Sequence, residues 1–110
     1  NRSILKTAVD FIDSHYMEED MSLNKAANAA NVSANHFSAL FSQNMGQTFI
    51  EYLTNLRMNK AKEYLRCTSM RSSEIAGEIG YKDAHYFSYL FKKTQGMTPS
   101  DYRKAREDKA

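Results

Sequence analysis

A chain of 110 residues can form one compact domain or two very small ones, and with 42% hydrophobic and 25% charged residues it falls outside the disordered class. The net charge of +2 is unevenly divided: residues 1–53 carry three basic and six acidic side chains, net −3, whereas residues 54–110 carry 12 and seven, net +5. That split points a polyanion at the second half. No apolar run nears the length of a membrane span and no secretory pattern opens the chain, while the lone Cys67 excludes an internal disulfide, so a cytoplasmic location is expected.

One proline and four glycines interrupt the chain, and apolar residues recur at helical spacing throughout. Ile4, Leu5, Ala8, Val9, Ile12 and Tyr16 predict one face of a first helix, capped by Asn1 or Ser3. After the acidic loop Glu18-Glu19-Asp20, Ser22 caps a short helix ending near Ala30, and Ser33 caps another running to about Asn44. Thr48 opens a long helix over 48–66, with Phe49, Ile50, Leu53, Leu56, Ala61, Tyr64 and Leu65 facing inward. Ser72 opens a short helix ending at Gly80, and the next runs from about Asp83 to Thr94. Thr98-Pro99, an N-cap followed by proline at the first helical position, starts the last. The fold class is all-α, with seven helices.

The pattern is internally duplicated. Residues 37–52 match 87–102 at an offset of 50, with identities at Phe37/Phe87, Ser38/Ser88, Leu40/Leu90, Phe41/Phe91, Gly46/Gly96, Thr48/Thr98 and Tyr52/Tyr102. Upstream the offset becomes 49, pairing Ala27 with Ala76 and Val32 with Tyr81, so the second copy has one extra residue in its turn. Two copies suit a duplicated small unit rather than a stacked solenoid. Each is a short helix, a tight turn and a second helix. Ala27 and Ala76 supply the small side chain that a steep crossing needs, and Asn31 and Gly80 supply a backbone tolerant of positive φ. An i, i+3, i+4 stripe of Phe37, Leu40 and Phe41, or Phe87, Leu90 and Phe91, pins the second helix and leaves its opposite face free at the N-terminal end. In a helix-turn-helix that end enters a DNA major groove.

The second copy carries Glu74-Ile75-Ala76, Ile79-Gly80-Tyr81, Asp83, Tyr86-Phe87-Ser88, Phe91-Lys92-Lys93, Gly96, Thr98-Pro99 and Tyr102-Arg103. The first carries Phe41, Gly46, Phe49 and Tyr52-Leu53, and the connector Leu56-Arg57-Met58 with Ala61. Over residues 3–103 this resembles the C-terminal domain of the AraC/XylS family of transcription regulators. The resemblance implies two helix-turn-helix subdomains, at 1–53 and 67–110, with 54–66 completing the linker helix. It implies binding to two successive major-groove segments of double-stranded DNA and control of transcription. It also implies an upstream ligand-binding or receiver domain, the pattern looking closest to receiver-type response regulators of two-component systems, and fits a chain that starts at Asn1 as a piece of a longer one. A linker of about 28 Å, at 1.5 Å per residue, is comparable with the roughly 34 Å between successive major-groove faces.

For base contacts the candidates are Asn35, whose amide suits adenine, with His36, Ser38 and Ala39 in the first unit, and His85, Ser88 and Tyr89 in the second. Tyr86 is expected to be packed. Phosphate candidates are Ser33, Gln43, Lys82, Lys92 and Lys93, with the helix starts at Thr48 and Thr98. Arg57 either touches phosphate or lies along the connector beside an acid such as Glu51 or Asp101. The sequence departs from the family pattern at Ala39 and Tyr89, where arginine is common, and residues 26–50 contain no Asp, Glu, Lys or Arg.

His15, His36, His85 and Cys67 lack zinc-site spacing, and no phosphate loop or nucleophile elbow occurs. No cofactor, metal, membrane contact or enzymatic activity is expected, and the isolated domain is expected to be monomeric. The six methionines are expected to fill the core. A competing reading makes the domain a helical interaction module docking RNA polymerase or a sensor domain, with little direct DNA readout.

Overall fold

The computed structural model describes residues 2–109, and among them it shows seven α-helices and no strand. They are α1 (Arg2–His15), α2 (Leu23–Ala29), α3 (Ala34–Met45), α4 (Phe49–Cys67), α5 (Ser72–Glu78), α6 (Ala84–Gln95) and α7 (Pro99–Lys109). The chain divides into two compact units between Leu56 and Arg57, within α4.

Helices as short as α2 and α5, seven residues each, are not stable alone and depend on the core they cover. In the first unit that core holds Ala8, Ile12, Met21, Ala26, Ala27, Phe37, Phe41, Phe49 and Leu53. In the second it holds Met58, Ala61, Leu65, Ile75, Ala76, Ile79, Phe87 and Phe91. The sequence duplication is a duplication of contacts. Phe37 and Phe41 meet at 5.5 Å between ring centroids, Phe87 and Phe91 at 5.9 Å. Tyr52 then packs edge-on against Phe41 at 5.4 Å, as Tyr102 does against Phe91 at 5.9 Å. The Tyr52 hydroxyl donates to the Asp13 carboxylate at 2.8 Å, and burial together with that carboxylate pushes the phenol up to about 12.

Both helix-turn-helix turns close in the same way. After α2 the Val32 N–H returns to the Ala27 carbonyl and the Asn31 N–H to Asn28; after α5 the Tyr81 N–H returns to Ala76 and the Gly80 N–H to Gly77. This paired ending requires a left-handed residue, here Asn31 at φ 58° and Gly80 at φ 107°. The turn is four residues in the first unit and five in the second, the insertion that the shift in repeat offset predicts. Gly46 and Gly96, also left-handed, end α3 and α6.

The caps follow the sequence at Ser22, Ser33, Thr48 and Thr98, and Asp83, read only as the approximate start of a helix, caps α6; each accepts a backbone N–H within the first turn. Two differ. Ser72 is the first helical residue of α5, and the start is fixed by Glu74, whose carboxylate accepts from the Arg71 N–H at 2.9 Å. Ser3 lies inside α1, so it is no cap there; Asn1 lies outside the described residues. Ile50, expected inward, is 63% exposed, because Phe49 and Leu53 hold the inward positions and Ile50 is turned about 100° from Phe49. Met58 is fully buried, as expected of core filler, although the apolar stripe read for α4 did not include it. Met21 is buried and Met17, Met45 and Met70 half-buried, as core filler would be, whereas Met97 is exposed.

Candidate nucleic-acid interface

α3 and α6 are built on one frame. In each, 12 residues start from a capped turn, end at a left-handed glycine and bury two phenylalanines a turn apart. At about 100° per residue, the side opposite those rings is formed by positions 35, 39, 42 and 43 in α3 and 85, 89, 92 and 93 in α6. Positions 36 and 86 flank it. Asn35, His36, Ala39 and Gln43 are exposed, as are His85, Tyr86, Tyr89, Lys92 and Lys93. Ser38, Ser42 and Ser88 are half-buried at the edge of the stripe. Every base-contact candidate therefore has some accessible surface on its helix's outward side, with Ser38 and Ser88 the most withdrawn.

The phosphate candidates divide. Lys82, Lys92 and Lys93 are exposed, with Lys82 just before α6 and the other pair in its last turn. Ser33 is exposed and its Oγ already accepts from the His36 N–H, leaving the hydroxyl proton to donate. The starts of α4 and α7 are less suited to an anion. The Thr48 N–H is taken by the Glu51 carboxylate at 2.8 Å, and Asp101 stands in the first turn of α7. A fixed negative charge there repels phosphate. The helical first turns of α3 and α6 contain no acid, although Asp83 caps α6.

Two residues outside the candidate set bear on the second unit. Tyr86, expected to be packed, leaves half its surface exposed while its ring meets Tyr81 at 5.8 Å. The offset of 50 places it in the slot of exposed His36, a signal that the repeat already held. Arg57 is 6% exposed and has the structural role rather than a phosphate contact. Its guanidinium lies 4.9 Å from the centre of the Tyr81 ring and beside Gly80. A Cβ at position 80 would sit 2.7 Å from Arg57 Nη2 and would displace the guanidinium, while the positive φ at Gly80 is the strain that any side chain there would meet.

Among the described residues no group of three His, Cys, Asp or Glu side chains could hold a metal ion, and no helix is long and apolar enough to cross a membrane.

Residues 26–105 match the family described as a helix-turn-helix domain. The lactose operon transcription activator of Staphylococcus xylosus is 36% identical over 99 residues, which is 90% of this chain and 35% of that protein. Among solved structures, the chain is similar to the C-terminal domain of AraT, a response regulator from Geobacillus stearothermophilus. That match has a TM-score of 0.91 and 40% identity, covering 94% of this chain and 85% of that one. A transcriptional regulator from Chromobacterium violaceum, described among AraC-type DNA-binding domain-containing proteins, gives a TM-score of 0.84 at 28% identity, covering 96% and 93%. The chain spans 12% and 35% of the length of two curated relatives it matches.

Proposed function

The chain belongs to the helix-turn-helix family of AraC-type transcription regulators, and from that premise we propose that it reads DNA with the outward faces of α3 and α6. Its function is sequence-specific binding of double-stranded DNA in the control of transcription. The observation that carries the residue-level reading is the shared frame of those two helices, which leaves corresponding positions exposed in both units.

The two faces are chemically unlike. On α3 the outward residues are Asn35, His36, Ala39, Ser42 and Gln43, with no lysine, arginine or carboxylate. On α6 they are His85, Tyr86, Tyr89, Lys92 and Lys93. Affinity that depends on neutralising phosphates therefore comes mainly from the second unit, with Lys82, Lys92 and Lys93 as its cations. The first unit contributes direct recognition, with Asn35 presenting its amide to adenine and its neighbours adding polar and methyl contacts. Ser33, Ser38 and Ser88 support register at the edges of the two faces and Gln43 from the outward side of α3, whereas Thr48 and Thr98, with acids in the first turns of their helices, contribute little to phosphate binding.

Asn35→Ala is expected to relax base preference at one position of the selected site, losing about 1–3 kcal/mol of discrimination. The slope of log affinity against log salt should stay the same. Random-site selection followed by anisotropy titrations measures both. An unchanged preference would remove Asn35 from base readout.

The full-length protein is proposed to carry an upstream receiver or ligand-binding domain and to act on RNA polymerase. A second reading attaches to the first unit alone, where the stretch without Asp, Glu, Lys or Arg over 26–50 ends in exposed Ile50: that surface docks a protein rather than DNA. Loss of first-unit base readout with binding by the second unit intact would favour it.

A further inference from the structure

On the outward side of α6 two tyrosines, rather than charged or amide side chains, occupy the turn that would meet base edges. Tyr86 is 50% and Tyr89 61% exposed, and their i, i+3 spacing places them side by side on the helix. Two exposed rings side by side make a contiguous apolar surface of the kind that marks a contact site, and the second unit supplies a support for one of them. The Tyr86 ring stands edge-on to Tyr81, whose own ring is stacked on buried Phe87 at 6.1 Å and covered by the Arg57 guanidinium. Tyr86 is thus held before any partner arrives, which lowers the entropic cost of contact. Beside Tyr89, the Lys93 ammonium lies 5.8 Å from the ring centre. Ring and cation are therefore adjacent, one suited to an apolar group and the other to a phosphate.

The floor of a major groove offers one apolar group, the C5-methyl of thymine; the other base edges present only hydrogen-bond donors and acceptors. We propose that Tyr86 and Tyr89 form an aromatic plate that selects thymine by its methyl group, making the second half-site thymine-dependent. The proposal rests on the DNA-binding reading above and names what the second unit recognises. His85 and the lysines remain to set polar contacts and register. The corresponding slots of α3 hold His36 and Ala39, so no such plate exists in the first unit.

Deoxyuridine tests this directly, since it lacks the methyl and keeps every hydrogen-bonding group of thymine. A site selected from random DNA by this chain is synthesised with each thymine replaced singly by deoxyuridine, and affinities are measured by anisotropy. One or two positions within one half-site should lose about fourfold in affinity, the worth of one buried methyl. Tyr86→Phe and Tyr89→Phe should keep that sensitivity, because the ring and not the hydroxyl makes the contact. Tyr86→Ala or Tyr89→Ala, with helicity checked by circular dichroism, should abolish it. Cytosine at the same position should bind more weakly than 5-methylcytosine. Binding that is insensitive to every thymine methyl, or sensitivity that survives both alanine variants, overturns the proposal while leaving DNA binding intact. Failure to bind or select any DNA overturns the underlying reading, and the proposal with it.

Discussion

Replacing Phe91 by alanine is expected to cost about 3–5 kcal/mol of folding stability. Phe91 is fully buried, meets Phe87 at 5.9 Å and Tyr102 at 5.9 Å, and so ties α6 to α7. Its removal exchanges dispersion contacts with two rings for a cavity that short helices have little means of closing. Since small domains are stable by only about 5–15 kcal/mol, a large part of the total is at stake. Urea denaturation should show a lower midpoint with an unchanged slope. A loss below about 1 kcal/mol would mean that the aromatic chain does not hold the second reading helix.

The largest expected effect on binding belongs to Lys92→Ala combined with Lys93→Ala. Both side chains are exposed at the end of α6, far from the buried stripe, so folding stability should change little. If each neutralises one phosphate, the slope of log affinity against log salt becomes shallower by about 1.8. The affinity lost between 50 and 200 mM salt should then shrink by roughly tenfold. Equal slopes for the parent and the double variant would place the phosphate contacts elsewhere.

The fold was legible where side-chain chemistry is local. Ser22, Ser33 and Thr98 mark helix starts because a hydroxyl next to an apolar stripe satisfies first-turn amides, and each does so here. Asn31 and Gly80 mark the turns because few residues accept a left-handed backbone, and both adopt it. The inward and outward sides of α3 and α6 followed from their phenylalanines. What the sequence hid depends on tertiary partners. Ile50 leaves its expected inward position because the inward side of α4 is set by what packs on it, and hydrophobicity alone does not decide between neighbours on a helix. Ser72 yielded the start of α5 to a cap made by Glu74, three residues into the motif. Arg57 could have met phosphate or an acid; only the structure places it between Gly80 and the face of Tyr81. Tyr86 was hidden for a related reason, since an aromatic beside Phe87 resembles core until its neighbours are known.

The most direct measurement is amide chemical-shift mapping of this chain titrated with a DNA duplex that it has selected. The expected result is that the largest shifts fall at residues 33–43 and 82–93, the capped starts and outward faces of α3 and α6. Shifts confined to other segments at saturating DNA, with both of these unmoved, would contradict DNA recognition by the two helices.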